Sequence, residues 1–89
     1  MADDELRASW ERTERHLRQA LDRQALPDDL RATILDFIGH NELGVAFEWL
    51  TNALVEAHIA LEPAAREPLD AAAREMNLQD NADWRALLH

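Results

Sequence analysis

The side chains that most often bind metal ions are few and poorly spaced in this sequence. The chain has four histidines, at positions 16, 40, 58 and 89, and no cysteine. No two histidines stand four residues apart, the spacing that places two ligands on one face of a helix. His40 and Glu42 are close enough in sequence to touch one ion, but two ligands do not complete a site. We therefore predict no metal and no other cofactor.

Groups suited to covalent or acid–base catalysis are equally sparse. Ser9 is the only serine, and no histidine lies three or four residues from it to act as a base. There is no glycine-rich phosphate-binding loop. Carboxylates are abundant, but no pair of them has the apolar context that raises a pKa for general acid catalysis. We predict that the protein is not an enzyme.

The net charge indicates what kind of partner the protein can bind. Eighteen acidic residues and nine arginines, without lysine, give a net charge of −9 at pH 7. Such a surface repels phosphate backbones, which argues against direct nucleic-acid binding. It attracts a basic protein, although acidity also serves simply to keep a small protein soluble.

Composition predicts one helical domain covering residues 1–89. Alanine and leucine are abundant, tyrosine is absent, and there are two glycines and three prolines. This profile favours helices, and no segment alternates as a strand does. No apolar run approaches the roughly 18 residues of a membrane span. The acidic first residues do not resemble a signal peptide, and the lack of cysteine fits a reducing compartment, so we expect a cytoplasmic location without a membrane partner.

Hydrophobic periodicity predicts an all-α bundle of four or five helices around a long central helix at about residues 42–61. One face of that helix repeats for five turns and carries Leu43, Ala46, Phe47, Leu50, Leu54, Ala57 and Leu61. An earlier helix, to about residue 25, has a predicted buried stripe of Leu6, Trp10, Leu17, Ala20 and Leu21. Pro27 separates it from a second helix that begins at Asp28. Later segments predict a helix starting at Pro63 or Pro68 and a short one around Trp84.

The connection between helices two and three is very short. Helix two is predicted to end near Ile38, with Gly39 as its left-handed terminator. Asn41 is predicted to cap helix three. Gly44, in the first turn of helix three, leaves room for the close approach of another backbone.

The central helix also carries a second apolar stripe. Val45, Trp49, Asn52 and Ile59 lie opposite its main face, beside Glu42, Glu48 and Glu56. A surface helix needs one apolar stripe, so either helix one or four covers the second or a partner does. In the second case Trp49 is the anchor and the glutamates are its polar rim. The predicted partner-binding residues are Asp36, His40, Glu42, Val45, Glu48, Trp49, Asn52, Glu56 and Ile59.

The same segment resembles a known family. It contains the pattern His40-x-Glu42-x-Gly44-x-Ala46-x-Glu48, with further matches at Phe37, Ile38, Leu50, Leu54, Leu69, Met76 and Leu78. Over about residues 28–78 the chain resembles small bacterial immunity proteins of the MafI type, whose pattern has glycine where Asn41 stands. The resemblance implies stoichiometric binding and neutralisation of a cognate secreted polymorphic toxin, often a nuclease. The glutamates of the motif then serve either the bundle itself or the toxin surface.

Two other functions remain open. A structural adaptor or homodimer would pack Val45, Trp49 and Ile59 against their copies across a two-fold axis. An antitoxin-like transcription factor is disfavoured, because the arginines lie mainly on helix one and form no recognition helix. The toxin-binding immunity protein is the favoured prediction.

Overall fold

The computed structural model describes the backbone of residues 2–89 and the side chains of residues 3–89. It contains five helices, and no strand occurs in the described chain. The helices are α1 (Ala2–Arg23), α2 (Asp28–Gly39), α3 (Leu43–Glu56), α4 (Pro63–Glu75) and α5 (Ala82–Leu87). The predicted all-α bundle is thus confirmed. None of the helices in this range is long and apolar enough to cross a membrane.

Two helices organise the packing. α1 pairs most extensively with α4, and α3 contacts α1, α2 and α5. All five helices contribute to the core, whose largest fully buried apolar side chains are Leu17, Leu21, Ile34, Ile38, Phe47, Leu50, Leu54, Leu69 and Trp84. α3 is therefore central, as predicted, but α1, with 22 residues, is the longest helix.

The buried stripe of α1 is shorter than predicted. Leu17, Ala20 and Leu21 are buried, whereas Leu6 and Trp10 are exposed. At 1.5 Å per residue α1 is about 33 Å long, but the 13 residues of α4 span only about 20 Å. The first turns of α1, before Ser9, consequently extend past α4, whose last residue, Glu75, bonds to Ser9 and Arg12.

The end of α3 also differs from the prediction. The helix stops at Glu56 instead of Leu61, and Ala57 forms its exposed C-cap. His58 adopts a left-handed conformation with φ 54°. The N–H of Ile59 then donates to the carbonyl of Leu54 at 2.9 Å, which is the Schellman arrangement. No glycine or proline marks this stop, so the periodicity alone extended the helix too far.

The same ending closes α2 and α4. Asn41 and Asn77 have φ of 58° and 57°, and the N–H groups of Glu42 and Leu78 donate back to Phe37 and Ala73. The prediction that Gly39 terminates α2 in the left-handed region is wrong, because that residue is still helical. Asn41 does not cap α3 but takes the left-handed position itself, a conformation that asparagine tolerates and glycine favours.

Two side chains fasten the loops to the bundle. Buried Gln24 donates to the carbonyl of Ala60 at 2.9 Å and accepts from the N–H of Glu62 at 2.9 Å. Arg31 of α2 donates to the carbonyls of Leu21 and Gln24 at the end of α1. The bonds of Gln24 hold the loop between α3 and α4, and those of Arg31 add partners to carbonyls at the end of α1, where intrahelical donors run out.

α4 contains an internal proline and α5 is very short, and contacts with other parts of the chain compensate for each. α4 begins at Pro63 and contains Pro68, which lacks the N–H that would bond to the carbonyl of Ala64. Arg23 of α1 donates to that carbonyl at 3.4 Å. α5 has only six residues, is capped by Asn81, and docks through buried Trp84.

Candidate functional site

The outward face of α3 presents an apolar surface that the rest of the chain covers only in part. Val45 is 40% exposed and Trp49 is 47% exposed, while Ala46, Phe47 and Leu50 point into the core. The alternative in which α1 or α4 covers Trp49 is therefore wrong. The cover that exists comes from α2, since the rings of Phe37 and Trp49 are 5.5 Å apart at an interplanar angle of 42°.

Polar side chains surround this tryptophan. Glu48, Asn52 and Asp83 line a shallow hollow of about 290 Å³ together with Trp49. Asn52 donates to the carboxylate of Asp83 at 3.3 Å, so α5 contributes to the surface of α3. We call the set formed by Phe37, Val45, Glu48, Trp49, Asn52 and Asp83 the Trp49 patch.

Four further predicted residues lie on the neighbouring surface. Glu42 is the exposed N-cap of α3, and Glu56 is the last residue of the same helix, one turn beyond Asn52. Asp36 and His40 are both exposed at the end of α2, adjoining Phe37 in the chain. The acidic side chains therefore extend along α3 and onto the end of α2.

The surroundings of His40 raise the pKa of its imidazole. Its Nδ1 lies 2.8 Å from the backbone carbonyl of Asp36 and 3.7 Å from the carboxylate of that residue. The carbonyl hydrogen bond, and then the charges of Asp36 and Glu42, raise the pKa of His40 above its ordinary value. Protonation of His40 adds a positive charge to this acidic surface.

Ile59 does not belong to this surface. It lies beyond the end of α3, where it is partly buried and packs against the core. The prediction that it continues the stripe of Val45 and Trp49 is wrong, because the helix ends before its register reaches residue 59.

Sequence reasoning missed two parts of the surface. Asp83 and Phe37 reach it from α5 and α2, and only tertiary packing brings them there. On the other side of Glu48, exposed Leu6 and Trp10 line a second hollow of about 370 Å³. Their apolar character predicted burial, and no local signal marked where α1 leaves its partners.

The bond network beside that second hollow is structural. The carboxylate of Glu75 accepts hydrogen bonds from Arg12 at 2.7 Å and from Ser9 at 2.8 Å. These bonds, first that of Arg12 and then that of Ser9, lower the pKa of Glu75. They join the end of α4 to α1 and engage the hydroxyl of Ser9.

Among residues 3–89 no cluster of three or more histidine, aspartate and glutamate side chains could hold a metal ion. Comparisons with protein-family models, curated proteins and solved structures find no match to this chain.

Proposed function

We propose that the protein is an immunity protein that binds a basic toxin and neutralises it stoichiometrically through the Trp49 patch. The observation that carries the proposal is a half-exposed tryptophan backed by a second aromatic ring and flanked by the carboxylates of Glu48 and Asp83. The resemblance of residues 28–78 to MafI-type immunity proteins supplies the toxin as the class of partner.

The geometry suits a binding anchor. Tryptophan is enriched among the side chains that dominate interface energies, particularly when a polar rim excludes water around it. Contact with Phe37 restricts the indole before the partner arrives, which lowers the entropy lost on binding. Glu48, Asn52 and Asp83 form the rim on one side.

The charge suits a partner that binds nucleic acid. A nuclease holds phosphates in a basic cleft, and an acidic helix surface placed there would exclude the substrate. Attraction between the two surfaces would also accelerate their encounter, most strongly at low salt. Protection of the producing cell by this means requires the immunity protein in the cytoplasm, with no turnover and no cofactor.

The first experiment uses the polypeptide encoded immediately upstream of this gene as the probe. We expect a secreted toxin, rescue of cells that express it together with this protein, and affinity in the nanomolar range or tighter. The association rate should fall as salt rises. A neighbouring polypeptide that is not toxic, or is toxic without being blocked, would contradict the proposal.

Variants then locate the interface. Trp49→Ala and Glu56→Arg should each leave the protein folded and weaken toxin binding by tenfold or more. The matched control is Glu67→Arg, the same charge reversal on an exposed part of α4 remote from the Trp49 patch. Equal loss of affinity in this control would show a general charge effect instead of a local interface.

A homodimer through the same patch is the second candidate, because exposed Val45 and Trp49 could pack against their copies. The net charge of −9 on each chain opposes that association. Sedimentation at high micromolar concentration separates the two functions. If the unaltered protein is strictly monomeric, the homodimer is eliminated. If it is a dimer and Trp49→Ala is monomeric, the homodimer is favoured over toxin binding.

A further inference from the structure

The N-terminal half of α1 has two large apolar side chains that the fold leaves uncovered. Leu6 is 50% exposed and Trp10 is 44% exposed, although Thr13 and Leu17 on the same helical stripe are buried. Side-chain exposure thus falls from nearly half at Trp10 to almost none at Thr13, within one turn of the helix. α1 therefore presents an apolar edge beyond the point where the core ends.

This edge forms one wall of a groove between α1 and the beginning of α3. The groove has a volume of about 370 Å³, and its apolar lining consists of Leu6, Trp10, Leu43, Gly44, Met76 and Leu78. We call these six residues the Trp10 groove. Gly44 has no heavy atom within 4 Å of where a Cβ would stand, so the backbone of α3 is open at this point. Methionine adapts its shape readily to an incoming side chain.

One carboxylate at the groove has no ion-pair partner among residues 3–89, which favours a ligand that carries a positive charge. Both oxygens of Glu75 are engaged by Arg12 and Ser9. Glu48 is exposed, and its carboxylate forms no ion pair within the described chain. It also lines the hollow of the Trp49 patch. A cation placed on Glu48 would thus lie where the two apolar surfaces meet.

We infer that the Trp10 groove binds a basic amphipathic helix, with an aliphatic or aromatic side chain beside Gly44 and a lysine or arginine on Glu48. Binding of an amphipathic helix in an apolar groove is a common recognition mode, in which side chains about one turn apart on the bound helix anchor it in the groove. The inference rests on the proposed function for the partner's identity and extends its contact area across α3. A second copy of this chain suits the groove poorly, because its net charge of −9 equals that of the chain it would have to approach.

The test uses a probe that does not depend on the toxin. It is a synthetic leucine–lysine helix of roughly 14 residues with leucines at i, i+3, i+4 and i+7, compared with a scrambled peptide of the same composition. Calorimetry gives the affinity. In a Trp49→Phe background, a blue shift of the emission on binding reports Trp10, since Trp84 is already fully buried.

Gly44→Leu is the main variant, because its side chain would fill the groove. It places leucine in open space and improves helix propensity, so the fold should persist. We expect it to weaken peptide binding by tenfold or more, and Glu48→Gln to weaken it severalfold and reduce its salt dependence. The matched control is Leu35→Ala, which truncates an exposed leucine on α2 and should change affinity less than twofold. Trp10→Ala provides the same test if Gly44→Leu fails to fold.

Equal affinity of Gly44→Leu and the unaltered protein, equal binding of the scrambled peptide, or no binding at all would overturn the inference. The toxin arm is separate. If the peptide occupies the groove but the neighbour-encoded polypeptide does not bind, the groove stands and the toxin assignment fails. If the toxin binds and Gly44→Leu changes neither its affinity nor that of the peptide, the toxin assignment stands and the groove inference fails.

Discussion

Two aromatic pairs form among residues 3–89, and α3 contributes one member to each. Phe47 meets Trp84 edge-on with ring centroids 6.0 Å apart, and both side chains are fully buried. Trp49 meets Phe37 at 5.5 Å, and nearly half of the indole remains exposed. The same kind of contact thus closes the core on one side of α3 and presents a surface on the other.

Helix geometry separates the two pairs. Residues 47 and 49 are two positions apart, which at 3.6 residues per turn places them on nearly opposite sides of α3. On the inner side α5 brings a tryptophan that fills the space. On the outer side α2 brings a phenylalanine that leaves Trp49 47% exposed. The difference shows that aromatic content alone does not distinguish core from interface.

The largest expected effect comes from truncating the inner pair. Trp84→Ala should cost about 3–5 kcal/mol, because it empties a large buried volume and removes the docking side chain of a six-residue helix. Trp49→Ala, the matched truncation on the outer side, should cost only about 1 kcal/mol, the contribution of an aromatic pair. Chemical denaturation of both variants checks the comparison. Similar losses would show that Trp49 also belongs to the core.

A smaller effect should follow from the polar link beside the Trp10 groove. Glu75→Gln removes the ion pair with Arg12 and should lower the midpoint of thermal unfolding by a few degrees at neutral pH. The pKa of Glu75 is lowered in the fold, so its stabilising effect is present above the ordinary glutamate pKa and is lost as pH falls through the folded value. The difference between variant and parent should therefore vanish in acid.

The control for this variant is Glu67→Gln on the same helix, whose carboxylate forms no ion pair among the described residues. It should leave the midpoint unchanged at either pH. A difference that persisted in acid for Glu75→Gln would mean that the ion pair is not its source.

The end of α3 offers a stabilising substitution. His58 has φ 54°, a conformation that is strained for a side chain with a Cβ. His58→Gly should therefore stabilise the protein by about 0.5–1 kcal/mol, since glycine takes this position readily. Ala57→Gly is the matched control at φ −91° and should destabilise it. Thermal unfolding of both measures the effect, and two changes of the same sign would contradict the proposed helix ending.

The smallest expected effect concerns the outer surface and pH. The raised pKa of His40 means that protonation favours the fold, an effect present below the ordinary histidine pKa and lost as pH rises through the folded value. The same proton weakens the attraction of a basic partner. Association with the toxin should slow by about twofold as pH falls through that pKa, and His40→Gln should abolish the dependence. A rate independent of pH in the unaltered protein would exclude this role.

Local sequence accounted for much of the core and for the second apolar stripe of Val45 and Trp49, but it left open whether another helix or a partner covers that stripe. It misplaced Leu6, Trp10 and Ile59. Each of these is apolar and in register with a buried or outward stripe. The exposure of Leu6 and Trp10 depends on where the neighbouring α4 stops, and the position of Ile59 depends on where α3 itself ends. Periodicity describes one helix at a time, so it carries no information about the length of the partner.

The sequence by itself determined the helical class, the acidic charge and the presence of a second apolar stripe on α3, because these follow from composition and periodicity. Tertiary structure alone decided that α3 ends at Glu56 and that α1 extends beyond α4. It also decided that α2 and α5 supply Phe37 and Asp83 to the Trp49 patch. The physical reason is that burial is a relation between segments. Whether an apolar side chain becomes core or surface depends on what another part of the chain places against it.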